Sequence, residues 1–359
     1  IGMAENMIGQ IDFYELLMEG MLSFLLFAGA LHVDFGQLKE QRAPIILFAT
    51  LGVLTSTFLV GGMSFVLLQM LGMGIPFIYC LLLGALISPT DPIAVMGILK
   101  KAGIPKKLET KIVGESLFND GIGVVVFLTI FGIAQASDAP VNFGEVGLLF
   151  LEEVGGGLIL GGILGYLAYR LMKNIDNYEV EVLITLAVVM GGYLLASTLH
   201  FSGPLAMVVA GLMIGNERFR TSTMSDITET YVDKFWELMD VLFNAVLFAL
   251  IGLEIILLKF DQPFVIAGLL CIPLVLLARY LALALPIKFF EKRLEFIPKT
   301  NLIMTWGGLR GGISIALALS LTPNMPRELI LTITYIIVVF SIVIQGLTVE
   351  KLVQYVYKK

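Results

Sequence analysis

The chain has 359 residues, of which 58% are hydrophobic and 14% charged, and its formal net charge is -6. Soluble domains carry about 25% charged residues, so this composition excludes a soluble globular protein. Apolar stretches long enough to cross a bilayer recur down the whole chain, which predicts a single all-α polytopic membrane domain spanning residues 1–359. The two cysteines, Cys80 and Cys271, lie in apolar stretches, which favours buried thiols over a disulfide or a metal site.

Eleven transmembrane helices are predicted from the apolar windows between charged or Pro/Gly-rich breaks. The seventh is short for a span, and the longest loop runs from about Glu217 to Tyr231. The predicted helices cover residues 10–31, 43–71, 76–100, 109–135, 146–172, 180–199, 203–216, 232–258, 263–290, 299–321 and 328–350.

The basic residues are sorted strongly by side of the membrane. Nineteen of the 23 lysines and arginines fall on alternate loops that share one side, whereas Lys259 and Arg327 are on the other side. The remaining two, Arg279 and Arg310, lie inside predicted helices. Because the positive side of a membrane protein is cytoplasmic, the sequence predicts a multi-pass cell-membrane protein with a cytoplasmic C-terminus.

The third predicted helix contains the sequence LISPTDPIAV, with Thr90 and Asp91 between Pro89 and Pro92. Proline removes a backbone donor and breaks a helix, so carbonyls near residues 86–88 lose their partners and become candidate cation ligands. A charge at the bilayer centre costs about 3 kcal/mol on insertion scales, so Asp91 is a functional candidate. The alternative is a simple proline kink with a capping aspartate.

The fourth predicted helix carries four polar residues on one broad face, within the sequence GESLFNDGIG: Glu115, Ser116, Asn119 and Asp120. Two carboxylates five residues apart repel each other unless a cation or an arginine intervenes, and burial favours the protonated form of a carboxyl group. The pattern therefore predicts a proton-binding site. The alternative is a polar network that only holds helices together.

Two arginines are predicted to lie inside the membrane. Arg310 lies between two glycine pairs in the tenth predicted helix, WGGLRGGISIA, which should be weak or unwound there; a packing groove is the alternative. Arg279 lies in the middle of the ninth helix, too far from either end to reach water, and should pair with an acid.

The third and tenth helices run in opposite directions, and interrupted helices of opposite direction predict inverted repeats around a transport site. Two further carboxylates lie well inside predicted spans, Glu19 in the first helix and Glu254 in the eighth. We rank them as second-tier sites that could partner an arginine or line an entry funnel.

Together, the motifs TDP, ESLFND and GGLRGG resemble the NhaP and sodium/proton exchanger type of monovalent cation:proton antiporter family, in order, spacing and topology. The resemblance implies a thirteen-helix inverted-repeat fold with two crossed, unwound helices, of which eleven helices are present here. It also implies a homodimer. The core bundle would cover about 76–135 and 263–350, with the other helices serving dimerisation and scaffolding.

The same resemblance implies a role for each matching residue. Asp120 would bind cation or proton in turn. Asp91, Ser116 and the Thr90 backbone would complete an oxygen cage for Na⁺, since hard oxygen ligands suit an alkali cation, and Asn119 would steady the crossing.

Glu115 would pair with a buried arginine, for which we favour Arg279 and assign Arg310 to balancing helix-end charges. The adjacent Asn119 and Asp120 resemble the electroneutral branch. Na⁺ and H⁺ would be substrates, and no cofactor is expected.

Several alternatives remain open at this point. The same oxygens could hold K⁺, and buried charges could instead gate a channel or a transporter-like sensor. An enzyme is least expected, because no nucleophile–base pair, nucleotide loop or metal-ligand cluster is evident, and nucleic acid is not an expected partner. Membrane lipid is the expected surrounding, and the resemblance leaves room for a cytosolic regulatory region outside this sequence.

Overall fold

The computed structural model consists of helices joined by turns and short non-helical segments, with no strand, in the part of the chain that it describes, which comprises residues 20–91, 104–135, 143–173, 175–257, 261–290 and 299–357. Within these ranges, seven helices are long and apolar enough to cross a membrane, and three shorter apolar helices accompany them. In chain order the helices are α1 Leu22–Leu31, α2 Phe35–Glu40, α3 Arg42–Met70, α4 Phe77–Ile87, α5 Lys106–Gln135, α6 Phe143–Met172, α7 Tyr178–Thr198, α8 Gly203–Ile214, α9 Glu217–Thr223, α10 Asp226–Leu257, α11 Gln262–Phe290, α12 Thr300–Trp306, α13 Gly312–Leu319 and α14 Arg327–Tyr357.

Apart from the short helices α2 and α9, these helices correspond to the eleven predicted segments, once the tenth is recognised as the interrupted pair α12 and α13. The seventh is as short as expected, since α8 has 12 residues. The third segment is helical only up to Ile87 and then continues as non-helical backbone to Asp91. Its predicted continuation through Pro92, like the beginning of the first segment, lies outside the described residues.

The region predicted as the longest loop is mostly helical instead. Asn216 caps α9, because its side-chain oxygen accepts a hydrogen bond from the backbone N–H of Arg218 at 2.9 Å. The helix α10 then begins at Asp226, six residues before the predicted start, with Asp226 and Glu229 in its first turn where acids are favoured. The prediction failed because the polar residues here cap and start helices.

The chain divides into two compact units. Unit 1 comprises residues 1–14, 41–140 and 251–359, and therefore contains α3 to α5 and α11 to α14. Unit 2 comprises residues 15–40 and 141–250, with α1, α2, α6 to α9 and most of α10.

Unit 2 has a core of aromatic and small apolar residues around Trp236. The indole N–H of Trp236 donates to the hydroxyl of Thr185 at 3.0 Å, which satisfies its polar atom. Glycines of α6 bring that helix close to α8, where a Cβ on Gly157 would lie 2.6 Å from the Ser202 carbonyl oxygen. Such small-residue contacts are typical of helix packing in lipid.

Candidate functional site

The helix α4 of unit 1 ends at Ile87, and the non-helical residues 88–91 that follow form the first break. Pro89 cannot donate a backbone hydrogen bond, so the helix cannot continue through it unchanged. The Ser88 hydroxyl donates to the Gly84 carbonyl at 2.7 Å and lies 3.0 Å from the hydroxyl of Ser56 on α3. Since Ser88 is fully buried, these contacts satisfy polar groups that no water reaches.

The second break separates α12 from α13, over Gly307 to Gly311. Four glycines in the run GGLRGG lower the helix propensity there. Predicted unwinding of the tenth segment is therefore confirmed.

The two breaks cross each other. The backbone N–H of Asp91 donates to the carbonyl of Leu309 at 2.8 Å. A Cβ on Gly308 would lie 3.1 Å from the Thr90 methyl carbon, and one on Gly311 would overlap the Asp91 carboxylate. Only glycine at the second break allows the first to approach this closely, so the two interrupted helices meet at Thr90 and Asp91.

The polar face of α5 lies against the first break. Glu115, Ser116, Asn119 and Asp120 are all at most 3% exposed. The helix comes close because a Cβ on Gly123 would overlap the Pro89 ring.

Thr90 is the residue through which the α5 face and the break are joined. Its hydroxyl lies 2.8 Å from the Ser116 hydroxyl and accepts from the Asn119 amide at 2.9 Å. Its backbone N–H donates to the Asn119 side-chain oxygen at 3.2 Å. Asn119 therefore supplies both a donor and an acceptor to one residue of the break, which fixes α5 relative to the crossing.

Glu115 forms a buried ion pair with Arg279 of α11. The two guanidinium nitrogens lie 2.5 and 2.7 Å from the two carboxylate oxygens, and both side chains are 1% exposed. The same carboxylate accepts from the Asn119 amide at 3.2 Å. Arg279 and not Arg310 is thus paired with Glu115, and the pair neutralises one of the two acids on the buried polar face of α5.

Arg310 lies at the second break and not in that ion pair. It is 3% exposed, and one guanidinium nitrogen donates to the Gly308 carbonyl. Its other two guanidinium nitrogens have no hydrogen-bond partner among the described residues. The positive charge therefore lies beside the carbonyls of the unwound segment.

Asp120 is buried without a bonded partner in the part of the chain that the structure describes. It is 3% exposed, and it lies near enough to Asp91 and Glu115 to be repelled by both. The neutralised Glu115 and the unneutralised Asp120 thus occupy the same helix face. A carboxyl group in such surroundings must either be protonated or bind a cation as its counterion.

Of the predicted site residues, the structure brings six into this crossing or onto the α5 face beside it: Thr90, Asp91, Glu115, Ser116, Asn119 and Asp120. Glu19 and the side chain of Glu254 lie outside the described residues. Sequence reasoning missed Ser56 of α3, which braces Ser88. The available signal was the run of three hydroxyl residues, Thr55 to Thr57, in a predominantly apolar helix.

The comparisons with known proteins agree with this geometry. The family model "Sodium/hydrogen exchanger, transmembrane" matches residues 1–355. The chain belongs to the sodium/hydrogen exchanger family. It is 52% identical over 357 residues to the Na⁺/H⁺ antiporter NhaP of Pseudomonas aeruginosa, covering 98% of this chain and 84% of that protein.

A more distant relative is the Na⁺/H⁺ antiporter NhaH of Halobacillus aidingensis, which is 33% identical over 98% of this chain and 86% of its own. Among solved structures, the sodium proton antiporter MjNhaP1 of Methanocaldococcus jannaschii superposes with a TM-score of 0.77 at 20% identity, over 97% of this chain and 87% of that one. That similarity confirms the predicted antiporter fold.

Proposed function

We propose that this protein exchanges Na⁺ for H⁺ across a membrane, with Asp120 binding the cation and the proton in turn. The observation that carries the proposal is the contrast on one face of α5, where Glu115 is paired with Arg279 and Asp120 has no bonded partner among the described residues. The antiporter names of the relatives support the same function.

Exchange follows from competition for one carboxylate. An ionised Asp120 is expensive to move through an apolar barrier, whereas the protonated form and the cation-bound form are both neutral there. Only a loaded site therefore crosses as the protein alternates between its two open states. One cation replaces one proton in this scheme, so the exchange is electroneutral.

The cation ligands in this proposal are oxygens from one helix, α5, and from the first break. Asp120 and Asp91 supply carboxylates, Ser116 supplies a hydroxyl, and Thr90 supplies a backbone carbonyl. Oxygen ligands suit alkali cations. Na⁺ is a transported substrate here, and neither a cofactor nor an enzymatic activity is part of the proposal.

The helices outside the crossing have a supporting role in this proposal. The core bundle, about 76–135 and 263–350, carries the site, and the remaining helices form the scaffold and the interface of a homodimer in the lipid bilayer. The distribution of lysine and arginine supports a cytoplasmic C-terminus. K⁺/H⁺ exchange, a channel and a sensor are the alternatives that an experiment must separate.

Dissipation of a pH gradient in proteoliposomes on addition of Na⁺, Li⁺ or K⁺ tests the proposal. We expect a saturable response to Na⁺ that is lost in Asp120→Asn, because an amide cannot cycle a proton. Asp176→Asn is a control for the same change at an exposed acid of unit 2, whose hydrogen bonds among the described residues come from the hydroxyls of Ser225 and Thr228.

Full exchange by Asp120→Asn would reject the mechanism. A response to K⁺ alone would identify the potassium exchanger, a non-saturable flux would indicate a channel, and no flux would favour a sensor.

A further inference from the structure

The helix α14 contains a π-helical segment, Ser341–Gln345, beside the second break. Single π-helical turns interrupt the regular hydrogen-bond ladder and occur frequently at functional sites. Ser341 is fully buried and Gln345 is 3% exposed. The segment therefore places two polar side chains against the unwound backbone at a depth where every polar group needs a partner.

These two side chains bind opposite ends of the break. The backbone N–H of Arg310 donates to the Ser341 hydroxyl oxygen at 2.8 Å. The Gln345 amide donates to the carbonyl of Trp306, the last residue of α12, at 2.9 Å. Both groups belong to backbone that an unbroken helix would have satisfied by itself.

The hydrogen bond to Ser341 acts on the same peptide unit that joins the two breaks. A trans peptide is planar, and its C=O and N–H point in opposite directions. The Leu309 carbonyl accepts from the Asp91 backbone N–H, while the adjoining Arg310 N–H donates to Ser341. The peptide is thus held from both sides, and its rotation would break both hydrogen bonds.

We propose that Ser341 is a positioning residue of the cation site, which sets the location of Asp91 through the Leu309–Arg310 peptide without contacting the cation. The inference rests on the proposed function, because it concerns the affinity of the same site. Without the hydroxyl acceptor, the peptide can turn and the backbone of Asp91 is released. The cation cage then loosens, while Asp120 keeps its own place on α5.

The test compares Ser341→Ala with Thr334→Val in proteoliposomes. Thr334 is a matched control, because it is equally buried in α14 and, among the described residues, its hydroxyl donates to the Ile330 carbonyl of its own helix alone. We expect Ser341→Ala to raise the KM for Na⁺ about tenfold, the effect of leaving one buried donor unpaired, with little change in the maximal rate. Thr334→Val should leave the KM unchanged.

Two further measurements keep the test decisive. Hydrogen exchange of the peptide containing residues 307–311 should become faster in Ser341→Ala, which reports the released Arg310 amide independently of transport. Ser341→Cys retains the approximate side-chain volume but offers only a weak acceptor, so it should raise the KM in the same direction even if the alanine variant does not fold.

Two results would overturn the inference. One is an unchanged KM in a folded Ser341 variant whose amide exchange is faster, which would make Ser341 structural only. The other is a fall in maximal rate with an unchanged KM. Absence of Na⁺-driven exchange by the unaltered protein would instead reject the proposed function, so the two failures are distinguishable.

Discussion

Glycine brings helices together in both compact units, but it brings different groups into contact. In unit 2, the glycines of α6 face the backbone and apolar side chains of α8; a Cβ on Gly161 would overlap the Ala206 carbonyl. In unit 1, a Cβ on Gly123 would overlap Pro89, and one on Gly311 would overlap Asp91. The first set serves packing alone, whereas the second brings the site residues together.

The ion pairs of the two units also differ, in how far they are exposed to solvent. Arg220 of unit 2 is 8% exposed and binds Asp233 and Glu229 at 2.8 and 2.9 Å, in a network that remains partly open to solvent. The described residues of unit 1 contain one closed, fully buried pair, Glu115 with Arg279. A substitution at the closed pair or at the glycines of the crossing should therefore alter stability or exchange strongly, whereas one at a packing contact of unit 2 should alter stability moderately.

The largest expected effect comes from opening the closed pair. Glu115→Gln leaves Arg279 as an uncompensated buried charge, so the free energy of unfolding should fall by about 3–5 kcal/mol. Chemical denaturation in detergent measures it. The double variant Glu115→Gln with Arg279→Met should recover part of the loss, because the buried charge is removed. A free energy of unfolding for Glu115→Gln within about 1 kcal/mol of that of the original protein would contradict the account.

Crowding the crossing should impair exchange more than folding. In Gly311→Ala the new methyl group displaces the Asp91 carboxylate, and a displacement of about 1 Å in a reacting group can cost about 100-fold in rate. We expect Na⁺-driven exchange to fall by about that factor while the protein remains folded. Exchange at the original rate would show that Asp91 is not confined by this glycine.

An added methyl group at the contact between α6 and α8 in unit 2 should affect folding more than exchange. Gly161→Ala forces α6 away from the Ala206 carbonyl and should lower the free energy of unfolding by about 1–3 kcal/mol. Exchange per folded molecule should stay close to that of the original protein. Loss of exchange with unchanged stability would contradict the division of roles between the units.

The smallest effect is expected where a glycine contacts nothing. Gly62 lies within α3, and a Cβ there would have no heavy atom within 4 Å. Because alanine favours helix more than glycine, Gly62→Ala should raise the free energy of unfolding by about 0.5–1 kcal/mol. A destabilised variant would indicate an unrecognised close contact at this position.

Much of the fold was predictable because long apolar windows depend only on the chain itself. The break at Pro89 and the weak helix around Arg310 followed from local chemistry in the same way. The helices α9 and α10 were not predicted over the supposed loop, since Asn216 and Asp226 are polar residues that serve equally well in loops and at helix starts.

The site was predictable in its residues but not in its contacts. Spacing on a helix places Glu115 and Asp120 on one face, yet it cannot choose between Arg279 and Arg310 as the partner of Glu115. That choice depends on the distance between helices far apart in sequence. The hydrogen bond from the Arg310 backbone N–H to Ser341 could likewise not be predicted from the sequence, because it forms where a π-helical segment lies beside unwound backbone.

The most direct test of the account measures proton release on Na⁺ binding, by calorimetry of the purified protein in buffers that differ in ionisation enthalpy. Competition at Asp120 predicts that Na⁺ displaces up to one proton from the original protein, increasingly as the pH falls, and none from Asp120→Asn. Na⁺ binding without proton release at any pH, or equal release in Asp120→Asn, would contradict the claim that one carboxylate binds both ions.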